Sequence, residues 1–191
     1  MRQGRSRRRN LSVAAAGLKR DGLMAIREIL QLGNPDLYEI STEVEEDELD
    51  LMGDIASDLE DTMLDFRERY GAGRAIAAPQ IGERKRMVYM NTGEPVILLN
   101  PVITEYSPEM IEVWDDCMSF PDLLVRVKRH RSIAVTCRDL EWKERKIEAD
   151  DGLAELLQHE IDHLDGVLAV MRAIDERSFV TRSERWRVKG E

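Results

Sequence analysis

Cysteine is scarce: Cys117 and Cys137 are the only two in 191 residues. That excludes a disulfide framework and suits a reducing compartment, where a thiolate can hold a metal. Long apolar runs are missing too, since nothing approaches the roughly 18 consecutive apolar residues of a membrane span. Basic charge is not in excess. The chain has 28 Lys and Arg against 38 Asp and Glu, a formal -10, which argues against the phosphate-neutralising surface of a nucleic-acid reader. What is present, 42% hydrophobic and 35% charged residues, excludes a collagen-like chain and predicts a soluble globular one. The length fits one domain with a real core.

The charge is unevenly placed. Arg2, Arg5, Arg7, Arg8, Arg9, Lys19 and Arg20 stand in an opening of 20 residues without one acid. Residues 1–23 therefore read as a basic, disordered tail or an organellar transit segment, and 24–191 as a single domain. Leu11 to Gly17 is too short for the centre of a secretory signal. Within the domain, Met24 to Leu30 predicts a strand or short turn leading to the turn signal Gly33-Asn34-Pro35-Asp36. From Glu48 to Tyr70, Leu49, Met52, Ile55, Leu59, Met63 and Phe66 recur at helical spacing. Short β-branched or aromatic runs follow at 87–90, 96–99, 111–114 and 133–137, read as an antiparallel or mixed sheet. A second helix is expected over Gly152 to Asp165, with Gly166 as its stop.

That second helix carries the chemistry. In His159-Glu160-Ile161-Asp162-His163 the two histidines lie four apart, on one helical face, and can present two imidazoles to one divalent ion. Glu160 between them is the natural base for a water acidified by that ion, with Asp162 the alternative carboxylate. A third ligand is needed. A metzincin is excluded because its final histidine position holds Ala169. His130 lies in a basic strand or loop and reads as exposed, and Cys137 alternates with polar neighbours and reads as core packing. Cys117, in the polar stretch Asp115-Asp116-Cys117-Met118-Ser119, is the favoured third ligand.

Three segments together resemble peptide deformylases: Gly73-Arg-Ala-Ile-Ala-Ala-Pro-Gln-Ile-Gly82, Asp115-Asp-Cys-Met-Ser119 and Gln158-His-Glu-Ile-Asp-His-Leu-Asp-Gly166. The likeness covers about residues 24 to 175, including the opening Ile26 to Pro35. It implies an α+β fold with short antiparallel or mixed sheets around a central metal-binding helix. It also implies a hydrolase that removes the formyl group from N-formyl-methionyl nascent peptides and releases formate, with the ribosome as the place where such chains are met. Cys117, His159 and His163 would hold one divalent ion, usually Fe(II) in that family, with Zn(II) or Ni(II) able to take the same ligands. Glu160 would move the proton, while the Gln80 side-chain amide and the Met118 backbone N–H would hydrogen-bond the developing oxyanion. A cytoplasmic location follows by the same likeness, or an organellar one if residues 1–23 direct transit.

Departures from the family pattern gather around the substrate. Asp115 stands for a usual Glu, with Arg129 as its expected partner. Asp116 replaces a Gly, Ala75 replaces another, and Leu124 takes a position where many members carry a peptide-holding Arg. Glu155 and Leu156, four and three residues before His159, belong on the metal-facing side, where the family places an apolar pocket for methionine. Glu155 reads equally as a simple complement to the helix dipole. These changes keep open an amidase with another N-acyl substrate, and a metal-stabilised binding protein without turnover is the remaining alternative.

Overall fold

The computed structural model describes residues 25–188, so the expected tail or transit segment at 1–23 lies outside the described residues. Helix α1 spans Leu49–Tyr70 and buries Met52, Ile55, Leu59, Met63 and Phe66 as one stripe. It ends where Gly71 turns left-handed, φ 66°, and donates its N–H to the Arg67 carbonyl. There follow β1 (Ala75–Ala77), β2 (Met87–Asn91), β3 (Pro95–Tyr106), β4 (Met110–Asp116), β5 (Leu123–His130), β6 (Ser132–Arg138) and β7 (Glu144–Asp150). Helix α2 (Asp151–Leu164) and the short β8 (Phe179–Thr181) complete the order. One sheet runs β1-β2-β3-β6-β7 and the other β4-β5-β8. Every ladder between these strands is antiparallel, which resolves the mixed alternative.

The larger sheet is covered on both faces at one end. Val88, Met90, Val96 and Leu98 pack with Leu156, Leu157, Ile161 and Leu164 of α2. The alternate residues Met87, Tyr89, Ile97 and Leu99 pack with the α1 stripe. Two buried faces explain why β2 and β3 read as continuous apolar runs. Each such side chain taken fully out of water contributes about 1.5–3 kcal/mol. In β7 only Ile147 and Ala149 point inward, so the strand has too thin an apolar signal to be read from sequence. In β5 the inward row, Val125, Val127 and Arg129, ends on a charge, and the basic stretch around His130, strand or loop by sequence, is strand.

The opening segment forms neither the expected strand nor a turn. It is irregular, pinned where Leu30 donates its N–H to the Gln80 carbonyl and Leu32 to that of Ser119, both at 2.8 Å. At the far end of α2, Gly166 has φ +70°, and a Cβ there would lie 2.4 Å from the Tyr38 carbonyl oxygen. Only glycine lets that loop close against the helix end. Helix α2 itself is buried from Ala154 through Leu164, polar residues included. A buried helix bearing Glu, Gln, Asp and His demands partners for each.

Candidate metal centre

His159 and His163 stand one turn apart on α2 with their Nε2 atoms 3.2 Å from each other. Cys117, immediately after β4, brings its Sγ to 3.2 Å from His163 Nε2. All three are buried, and their ligating atoms lie within 4.8 Å of one another. Tetrahedral ligands at about 2.0–2.3 Å from one ion sit roughly 3.3–3.8 Å apart, so the donor set fits a single cation. The second ring nitrogen supports this reading: His159 Nδ1 is 2.7 Å from Asp115 Oδ1, an arrangement that turns Nε2 toward the other donors.

Asp115 is in turn held by Arg129, whose Nη2 donates to its Oδ2 at 2.8 Å, the pairing expected from sequence. Arg129 also binds Asp162, and Arg172 clamps both oxygens of Asp162 at 2.6 Å. Burial works to raise the Asp115 carboxyl, but His159 and Arg129 on its two sides outweigh burial and hold it at about 2. Burial works against charge on His159, yet Asp115 and Cys117 overcome it and raise that imidazole well above its ordinary value. The same negative groups draw a divalent cation to the ring. Burial, and then the charge of His159, push His163 the other way, toward a neutral imidazole. Asp162, named from sequence as an alternative base, is committed to the two arginines and does not line the cavity described below.

Arg129 is nearly unexposed and Asp115 completely so. Arg129→Met is therefore expected to cost about 3–5 kcal/mol, because it leaves a buried carboxylate without its counter-charge. Urea unfolding of the metal-loaded protein measures it. A loss under about 1 kcal/mol, the size of a surface pair, would contradict this placement.

Glu160 is buried beside the ligands, and its Oε2 has no hydrogen-bond partner among the described residues. Burial first, with Asp115 and Glu155 adding to it against His159 and Arg74, pushes its carboxyl up to about 7. A base near the working pH can both take and return a proton. Gln80 sits in the short 3-10 turn Ala78–Ile81, after β1. Its Oε1 accepts the Ala77 N–H at 2.9 Å, which leaves Nε2 aimed at Ser119 Oγ, 3.2 Å, and Cys117 Sγ, 3.5 Å. Gln80, Cys117, Met118, His159 and Glu160 meet at one cavity of about 270 Å³.

A family model described as polypeptide deformylase matches residues 26–179. The chain belongs to the peptide deformylase family. Peptide deformylase of Dictyoglomus thermophilum is 36% identical over 152 residues, 79% of this chain and 95% of that protein. The Rhizobium meliloti enzyme is 37% identical over 153 residues, 77% and 84% of the two chains. Among solved structures, the Thermotoga maritima deformylase superposes with a TM-score of 0.72 at 30% identity, covering 78% of this chain and 99% of that one. A class I type b deformylase of Acinetobacter baumannii bound to Met-Ala-Ser matches with a TM-score of 0.72 at 28% identity and the same coverage. The α+β fold expected from sequence is thus the fold of peptide deformylases.

The pocket expectations fare unevenly. Ala75, Met118, Glu155 and Leu156 all line the cavity. Glu155 faces it rather than serving the helix dipole, with Oε2 taking a 2.9 Å bond from Arg74 Nη2. Leu124 does not reach the cavity. It is buried in β5 between Asp116 of β4 and Val180 of β8, the neighbours its register gives it. A guanidinium comes instead from the far side of that sheet, where Arg182 binds Asp116 Oδ2 at 2.7 Å and the Pro121 carbonyl at 2.8 Å. Arg74 and Arg182 both line the cavity, and sequence reasoning missed them. Arg74 was visible inside the glycine-bearing first segment, whereas Arg182 has no local signal. His130 is a half-buried strand residue, its Nδ1 2.6 Å from the Ser107 carbonyl, and takes no part in the site. Cys137 lies in the core under α2, where burial pushes its thiol up to about 11.

Proposed function

We propose that this chain removes the formyl group from N-formyl-methionyl peptides, as they emerge from synthesis at the ribosome in the cytoplasm, releasing formate and a free amino terminus. The organellar alternative rests on residues 1–23 acting as a transit segment. The observation that carries the activity is the convergence of Cys117, His159 and His163 with Glu160 and Gln80 on one cavity. Neither Glu160 nor Gln80 is needed merely to hold a metal, which speaks against a binding protein without turnover.

A divalent cation held by the two imidazoles and the thiolate, Fe(II) first and Zn(II) or Ni(II) after it, supplies Lewis acidity to water and carbonyl alike. Glu160 accepts the proton of the attacking water as its oxygen bonds to the formyl carbon. Gln80 Nε2 and the Met118 backbone N–H donate to the carbonyl oxygen as negative charge develops there, each donor worth about 3 kcal/mol. The carbon–nitrogen bond then breaks, and Glu160 returns the proton to the leaving amine. Asp115 and Arg129 act one layer out, keeping His159 turned toward its partners.

The test is formate release from formyl-Met-Ala-Ser by protein loaded anaerobically with Fe(II), with acetyl-Met-Ala-Ser beside it. Turnover of the formyl peptide alone is the expected result. Turnover of the acetyl peptide alone supports the related amidase, a reading motivated by the Arg74–Glu155 and Arg182–Asp116 pairs in the cavity wall.

A further inference from the structure

The two arginine–carboxylate pairs of the cavity are not equivalent. The two guanidiniums are alike, with Arg182 44% and Arg74 49% exposed, but the Asp116 side chain is 39% exposed whereas that of Glu155 is only 12% exposed. Glu155 lies one helical turn from His159, within reach of the first side chain of a peptide whose formyl group sits at the ligands. Arg74, just before β1, straps this spot, donating from Nη2 to Glu155 Oε2 at 2.9 Å and from Nη1 to the Gly152 carbonyl at 3.2 Å. Phe66, Ala72, Ala75 and Leu156 supply apolar lining to the same cavity. The cavity wall here thus combines apolar sides with an ion pair whose carboxylate is buried and whose guanidinium is half exposed.

A thioether covering that pair strips water from a carboxylate and a guanidinium and returns only a weak acceptor. A primary amide on a side chain of the same length returns a donor for Glu155 and an acceptor for Arg74. Methionine and glutamine are unbranched and of matched length, so they differ here mainly in that exchange.

Building on the deformylase reading above, we propose that the Arg74–Glu155 pair determines specificity, admitting N-formyl peptides whose first side chain carries an amide-type hydrogen-bonding group at least as readily as those bearing methionine. The pair occupies the wall on which an apolar side chain would otherwise rest.

The experiment compares formyl-Gln-Ala-Ser with formyl-Met-Ala-Ser in the metal-loaded protein and in the Arg74→Val, Glu155→Ile double variant. The kcat/KM ratio of the glutamine to the methionine peptide is expected at or above about one, falling at least about tenfold in the double variant. A smaller fall, or a parent that favours methionine at all clearly, overturns the proposal. Should the double variant not fold, Glu155→Leu alone, which leaves Arg74 partly in solvent, reads the same ratio. Release of formate from neither peptide rejects the deformylase reading instead. Calorimetric affinities of Gln-Ala-Ser and Met-Ala-Ser, in parent and variant, then carry the ratio and decide the role of the pair.

Discussion

Glu160→Gln is expected to keep its metal and its fold while losing about 100-fold or more in turnover. The amide has the carboxylate's shape, so the packing around α2 is retained, but it cannot take a proton from water. Burial makes the parent carboxyl unusual, since it is held at about 7 rather than in the ordinary carboxylate range. The substitution also removes a buried ionisable group, so melting temperature should hold or rise. The measurement is kcat with formyl-Met-Ala-Ser alongside metal content by atomic absorption. An active, metal-replete variant would move the proton elsewhere, and Asp162 is a poor substitute because Arg129 and Arg172 hold it.

The second large effect concerns the ligands. Cys117→Ser, His159→Ala and His163→Ala should each lose the metal on gel filtration, with turnover down by more than about 100-fold, since even partners behind ligands cost 10–100-fold when removed. Asp115→Asn is the graded companion. It keeps the side-chain shape but weakens the support of His159 Nδ1 at 2.7 Å, and metal affinity should fall by about 10–100-fold. Metal content and competitive chelation measure the series. Full retention of metal in any ligand variant would remove that residue from the set.

Much of the site was legible because its parts are local. A four-residue helical step places His159 above His163 wherever the helix goes, and the acid between them travels with it. The polar stretch around Cys117 was likewise readable as a short segment, whereas Gln80, by itself only a polar loop residue, stood out through the resemblance of its segment to the family's. The strands of 87–91 and 95–106 were legible in part, as their buried stretches 87–90 and 96–99. Strand β7, with only two buried residues, and the three-residue β1 and β8, the latter with none buried, were not, because so few inward positions leave almost no periodic trace. That Leu124 lies outside the cavity lining has a related reason. Position in the chain matched a peptide-holding arginine, but which guanidinium reaches the cavity depends on the third strand of a sheet, and that strand lies more than fifty residues further on.

By itself, then, the sequence determined the chemistry that depends on spacing within one element: two imidazoles and a carboxylate on one helix, a thiolate in a polar loop, and an amphipathic first helix. Tertiary structure alone decided what depends on separate elements meeting. It joined the thiolate to the imidazoles and placed Asp115 and Arg129 behind His159. It also set Arg74 against Glu155 across the pocket and brought Arg182 to Asp116. Local spacing is dictated by backbone geometry, which every helix shares. A contact between distant segments is dictated by how whole layers bury their apolar faces, and no short stretch of sequence contains that information.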